Sequence, residues 1–375
     1  MLGLEDNMRK TYGALCSLAL IAAVATMARG QQAAAGGQKR SSAAAGTLKH
    51  REKPLVLTEA IPLENAKGRF DHFATGGGRL FVAALGSNAV EVINIGGRIL
   101  DHAITGVPDP QGIAFSPEMN KIFVASGRGK VYVYDGKSYD QIATVDFPGG
   151  ADNMRYDGGT KRVYVGCGDD EKTGAIAMID ATTNQRLEEQ YNLGGEPESF
   201  QLEKSGPNIY VNVPDLKEVV VVNRATKQVT HWPLNGVASN FPMALDEADH
   251  RLFVGVHVPP RLAVIDTMTG RLVAVLPSVQ DSDDLYFDAD RKRIYMPGGE
   301  GFIYAFQMAD PNHYELLDKI PTAIGAKTAG YYGKQGKGFD RFYLAVPSRG
   351  GQSAGQNLYS ARLKHAADES CRRAI

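Results

Sequence analysis

A short strand-like motif with a basic or polar first residue recurs seven times, and this periodicity constrains the fold more than any other feature. The copies are Arg79-Leu80-Phe81-Val82, Lys121-Ile122-Phe123-Val124, Arg162-Val163-Tyr164-Val165, Asn208-Ile209-Tyr210-Val211, Arg251-Leu252-Phe253-Val254, Arg293-Ile294-Tyr295-Met296 and Arg341-Phe342-Tyr343-Leu344. Their starts lie 42, 41, 46, 43, 42 and 48 residues apart. A period of about 40–50 residues with four short strands per unit is what a β-propeller blade requires.

Each unit divides in the same way. A strand such as Gly112-Ile113-Ala114-Phe115 precedes the motif, across a turn such as 116–120. A third strand follows, as in Lys130 to Asp135, Ala175 to Asp180 and Leu262 to Asp266. These strands often end in Asp or Asn, whose side chains suit the next turn because they bond nearby backbone amides. A fourth strand comes after, as in Ile99 to Ile104 or Gln141 to Phe147. The seventh unit offers three strands, while Leu55 to Pro62 is an orphan strand before the first. Pairing the two completes the last blade and removes an unpaired edge. The expectation is an all-β, seven-bladed propeller of four-stranded blades over 54–363, closed by its N-terminal strand.

The units resemble the YVTN-type (YncE-like) propeller repeats. The likeness is carried by Gly106-Val107-Pro108-Asp109-Pro110-Gln111-Gly112-Ile113-Ala114-Phe115-Ser116-Pro117, by weaker copies at 194–200 and 240–246, and by Tyr210-Val211-Asn212. It implies the fold over nearly all of 55–363, and says little about activity, because one propeller scaffold hosts many functions. The Gly-His and Trp-Asp markers of WD40 repeats are missing, and the single tryptophan, Trp232, falls on an outer strand.

The N-terminus reads as an export signal over 1–30. Met8-Arg9-Lys10 is basic, Leu15 to Met27 is mostly apolar, and Ala28-Arg29-Gly30 offers small residues for cleavage. Glu5 and Asp6 spoil the basic start, so Met1 and Met8 both remain open as the initiator. The apolar run is shorter than the roughly 20 residues a bilayer needs, so no membrane span is expected after cleavage. A low-complexity leader (31–53) and a polar tail (364–375) flank the repeats. These features point to a periplasmic or secreted monomer. Cys167 and Cys371 would then be the remaining cysteines, and the sequence does not say whether they pair. Lys plus Arg (41) and Asp plus Glu (42) nearly cancel, so nucleic acid is not an expected partner.

In such propellers the strand before the motif is innermost, and the loop leading into it lies at one mouth of the central channel. Collected over the units, this position gives Asp71 and His72, Pro110 and Gln111, Asp152 and Asn153, Glu198 and Ser199, Asn240, Asp283 and Asp284, and Lys327 and Thr328. Loops on a rigid scaffold tend to carry function. The favoured reading is a binding or scaffold module that takes a protein, peptide or small ligand at one face. The alternative is a lactonase-type hydrolase with His72 as general base beside the carboxylates. A divalent cation on His72, Asp152, Glu198 and Asp283 is the one cofactor these residues suggest. His231, His250, His257 and His313 read as solvent-facing strand ends or turns.

Overall fold

The computed structural model describes residues 53–64, 66–332, 341–347 and 356–363, the last stretch by its backbone. The expected signal segment, almost all of the expected leader and the expected tail with Cys371 lie outside the described residues. Among the described residues no helix is long and apolar enough to cross a membrane.

The chain is an all-β protein of four-stranded antiparallel sheets, the architecture of a β-propeller. Sheet 1 consists of Phe73–Gly76, Arg79–Ala84, Ala89–Asn94 and Ile99–Thr105. Sheet 2 follows with Pro110–Ser116, Lys121–Ser126, Lys130–Asp135 and Gln141–Asp146. Sheet 3 has Ala151–Asp157, Arg162–Cys167, Ala175–Asp180 and Gln185–Asn192, and sheet 4 has Phe200–Leu202, Asn208–Val213, Glu218–Asn223 and Val229–Pro233. Sheet 5 is Ala238–Asp246, Arg251–Val258, Pro260–Asp266 and Leu272–Pro277; sheet 6 is Tyr286–Asp288, Arg293–Gly298, Phe302–Asp310 and His313–Pro321. Sheet 7 holds Ala329–Tyr332, Arg341–Val346 and Gln356–Leu363, and its outer strand is Leu55–Leu63, paired from Leu55↔Leu363 to Leu63↔Gln356.

Within each of the first six sheets the strands pair in sequence order, so the motif is always the second strand. Its apolar residues are almost fully buried and pack between sheets. Phe81 and Val92 of sheet 1 meet Ile122 and Val124 of sheet 2, and Tyr343 and Ala345 of sheet 7 meet Leu80 and Val82 of sheet 1. Fully burying a side chain of this size contributes about 1.5–3 kcal/mol, so the interfaces between sheets are where most of the stability lies.

The basic head of the motif acts across those interfaces in several sheets. Arg79 donates to the Gly136 carbonyl and to Asn120 Oδ1 (3.2 Å) in sheet 2. Lys121 Nζ reaches Ala181 O (2.8 Å) and Asn184 Oδ1 (2.7 Å) in the outer turn of sheet 3. Arg251 ties sheet 5 to sheet 6 in the same manner. Arg162 and Arg293 stay within their own sheets, on Met178 Sδ (3.8 Å) and Gln307 Oε1 (3.3 Å). The turns between third and fourth strands are closed by Asp and Asn side chains. Asp135 Oδ1 accepts from Lys137 N (2.8 Å) and Ser138 N (2.9 Å), and Asp180 Oδ1 accepts from Thr182 N (2.8 Å) and Thr183 N (3.0 Å).

Cys167 is buried and unbridged, and burial pushes its thiol up to about 11.

Candidate functional site

The first strands of the sheets neighbour one another about a central channel. Each has a partner strand on one side only, so its other edge faces that channel. Two connected cavities occupy it. The mouth chamber, about 320 Å³, is lined from all seven sheets, among others by Arg69, Asp71, His72, Gln111, Asp152, Asn153, Glu198, Asp283 and Lys327. The inner chamber, about 530 Å³, is lined from the same seven sheets, among others by Arg155, Gln201, Asp284, Tyr286 and Tyr331. His72, Ser199 and Asp283 line both, and so mark the boundary between them.

Bulges deliver the side chains to the mouth. The pairing of the first two strands slips between Ala151 and Met154, between Pro110 and Ile113, and between Asn240 and Met243. An extra residue in one strand re-aims the side chains beside it, and these slips turn Asp152, Gln111 and Phe241 into the mouth. In sheet 1, Asp71 N donates to Ala83 O (2.8 Å) and Ala83 N donates back to His72 O (3.2 Å). Two residues therefore span one, and Asp71 and His72 both face inward. Glu198 and Ser199 share Asn212 in the same way.

The strands also approach closely at this level. A Cβ on Gly112 would stand 2.2 Å from the backbone oxygen of Asp152 in the next sheet. Gly112→Ala is expected to cost about 1–3 kcal/mol by overpacking, measured by urea denaturation, and to displace Asp152 from the mouth.

His72 sits at the centre of a charged cluster. Its Nε2 lies 3.5 Å from Asp71 Oδ1 and 3.6 Å from Asp152 Oδ1, and its Nδ1 lies 3.5 Å from Asp284 Oδ1. Burial by itself would lower the pKa of the imidazole, but Asp71, Asp284 and Asp152 outweigh it and raise the value to about 10. Burial raises Asp71 to about 6 against the pull of His72. Burial also raises Asp152, Asp283 and Glu198, the last well above the usual carboxylate range. Asp284 Oδ2 accepts from Ala329 N (2.7 Å), and Lys327 Nζ bridges Asp281 (2.9 Å) and Asp283 (3.1 Å).

This geometry bears on the candidate roles. The carboxylates beside both ring nitrogens favour the protonated imidazole, the form that has no lone pair with which to act as a general base. Its neighbours hold it as a counter-ion. Among the described residues no group of three or more His, Cys, Asp or Glu side chains is placed to hold a metal ion. The carboxylates of His72's neighbours close on the ring itself.

The structure brings together Asp71, His72, Gln111, Asp152, Asn153, Glu198, Asp283 and Lys327 at the mouth, and places Asp284 just inside. Asn240 is a correction. It is fully buried, and its Nδ2 donates to Asn212 Oδ1 (2.9 Å) and Glu218 O (2.8 Å). The bulge sends the next residue, Phe241, to the mouth instead. His257 is a second correction: it lines the mouth rather than facing solvent, stacked on Phe241 with centroids 4.6 Å apart. The second strand of sheet 5 runs on to Val258, two residues longer than its counterparts in most sheets, which carries His257 there.

Arg155 was not among the sequence candidates. Its signal is register. The residue facing the motif's aromatic across the first two strands is Ala74, Ala114, Arg155, Gln201, Ala244, Tyr286 and Gly330 in sheets 1 to 7. All but Gly330 line the inner chamber.

No protein-family model and no curated protein matches the sequence. Solved structures match the fold. A chain in a crystal structure of the mitotic checkpoint complex superposes with a TM-score of 0.69 at 13% identity, covering 91% of this chain and 99% of that one. The WD40 repeats of RRP9 give 0.67 at 11% identity over 83% and 100%. Hydrazine synthase of Kuenenia stuttgartiensis gives 0.63 at 14% identity over 73% and 91%. Identities this low establish the propeller fold alone.

Proposed function

We propose that the chain is an exported, seven-bladed propeller of the YVTN type, closed by its N-terminal strand, that works as a binding module. Its mouth takes a protein segment, peptide or small ligand through a cationic group. Export rests on the basic and apolar N-terminal pattern. Seven blades and closure are supported by the seven four-stranded sheets among the described residues and by the pairing of Leu55–Leu63 with Gln356–Leu363. One structural neighbour belongs to the mitotic checkpoint complex, a precedent for a propeller at work in an assembly.

One observation carries the ligand chemistry: the mouth holds more acid than it can pair. Asp71, Asp152, Glu198, Asp281 and Asp283 line it against Arg69, His72 and Lys327. Asp152 Oδ1 has no hydrogen bond, only the His72 ring at 3.6 Å, and Asn153 Oδ1 is a buried acceptor without a hydrogen-bond partner in a residue only 2% exposed. Buried acceptors left unpaired are costly, and an ammonium or guanidinium group supplies donors and the missing charge together.

A short peptide with a free lysine or arginine side chain is expected to bind, and its glutamate counterpart is not. The double variant Asp152→Asn, Glu198→Gln should weaken binding at least about tenfold, roughly the worth of one charge-assisted hydrogen bond. Equal binding of the lysine and glutamate peptides would sink the reading.

A further inference from the structure

The inner chamber carries a second, independent signal. Of the seven residues that face the motif's aromatic, only Arg155 is charged. Three of the others that line the chamber, Ala74, Ala114 and Ala244, are alanine, and their small size leaves space for it. The guanidinium has five N–H donors. Nη1 donates to Met154 O (2.8 Å) and Nη2 reaches Ser199 Oγ at 3.4 Å, while the group lies 5.3 Å from the Phe200 ring centroid. No ion pair of Arg155 exists among the described residues. The nearby Asp284 is committed, with Oδ2 on Ala329 N and Oδ1 beside His72. Lys327 holds Asp283 at the other side of the boundary. Arg155 is half-buried, and burial pulls its pKa down against the opposing pull of Tyr286, Asp284 and Asp152; a carboxylate placed on the guanidinium would offset that cost. A planar guanidinium is shaped for a carboxylate.

The surroundings narrow the choice. Phe73, Phe115, Met154, Met243, Leu245 and Phe287 contribute apolar surface to the same chamber. A volume of about 530 Å³ lies within the range of small-molecule sites, roughly 300–1,000 Å³. Asp283 and Asp284 line the same chamber against His72 and Lys204, so its other charges nearly balance and one carboxylate suits the Arg155 guanidinium better than a doubly charged anion.

We infer that the inner chamber binds an organic monocarboxylate, with its carboxylate on the Arg155 guanidinium beside Ser199 Oγ and its apolar body against the aromatic and methionine side chains. The site is distinct from the acidic mouth and does not depend on the reading of it.

The test uses the full chain and three probes: benzoate, its neutral isostere benzamide, and inorganic phosphate. Calorimetry should show benzoate binding, with benzamide and phosphate each at least about tenfold weaker, the loss expected for a charge-assisted hydrogen bond. Arg155→Gln should abolish the preference for benzoate over benzamide. Arg155→Lys should recover part of it, since lysine keeps the charge and loses the fork. A readout in the unmutated protein covers the case in which these variants fold poorly. With methyl-labelled methionine, benzoate should shift the resonances of Met154 and Met243, which line the chamber, and leave Met268, 71% exposed, in place. Benzamide binding as well as benzoate, phosphate binding in preference to it, or unmoved Met154 and Met243 signals would each overturn the inference.

Discussion

Arg251→Ala should be among the most destabilising single substitutions in the chain, lowering stability by about 3–5 kcal/mol, the range for removing one partner of a buried pair. The guanidinium is 9% exposed and all three of its nitrogens are engaged. Nε donates to Pro311 O (2.7 Å) and Nη2 to Asn312 Oδ1 (3.0 Å), both in the outer turn of sheet 6. Nη1 donates to His250 O (2.9 Å) and Asp266 Oδ2 (2.8 Å) in sheet 5. Alanine removes the ion pair to Asp266 and the donors to Pro311 O and Asn312 Oδ1 at once, and so unlatches two neighbouring sheets. Arg251→Lys keeps the charge beside Asp266 but cannot reach both sheets, so it should recover less than half of the loss. At about 2 °C per kcal/mol for a domain of this size, the alanine variant should melt roughly 6–10 °C lower. Differential scanning calorimetry of the three proteins measures it. A fall of less than about 2 °C would show that the motif's basic head is a surface residue and that the sheets hold together by apolar packing alone.

That latch shows what the sequence makes legible and what it hides. The motif's short apolar run and its regular spacing place the second strand of every sheet correctly, because a run of this length between turn residues reads as a strand buried on both faces. The orphan strand Leu55–Leu63 follows from counting strands, and its partner is Gln356–Leu363. The Asp and Asn turn closures follow from local chemistry. The head of the motif is a different case: Arg251 reads as a polar edge residue, and its partners at Pro311 and Asn312 are about sixty residues away in sequence.

The site divides along the same line. The mouth ring is legible because the loop before each motif recurs in each unit. Asn240 fails because a bulge shifts the inward residue by one, to Phe241, and nothing local in the sequence announces which residue a bulge turns inward. His257 reaches the mouth through two extra strand residues. Arg155 needs the register between two strands before its position opposite Tyr164 means anything. The charge state of His72 depends on carboxylates from sheets 1, 3 and 6 converging on one ring, an arrangement that exists only after the sheets are assembled.

That convergence also sets how stability should change with pH. His72 is raised from 6.5 to about 10, so the imidazolium stabilises the folded state fully below pH 6.5, and the contribution disappears as pH rises through 10. Asp71 is raised from 3.8 to about 6, so the folded state keeps a proton that the unfolded chain releases, and stability also falls as pH climbs across that lower window. Both effects run the same way: the cluster favours the fold at lower pH. Asp152, Asp283 and Glu198, all raised by burial, add to the acidic side. In His72→Gln the alkaline limb should vanish. Each pKa unit is worth about 1.4 kcal/mol, and discounted for solvent screening at the partly exposed ring the loss between pH 6.5 and 10 should be roughly 2–3 kcal/mol in the wild type. Urea denaturation at pH steps across this range should therefore show the variant well below the wild type near neutrality, with the gap closing toward pH 10. A gap of constant size would mean that the ring is neutral in the folded protein, and would return His72 to the candidates for a proton-accepting base.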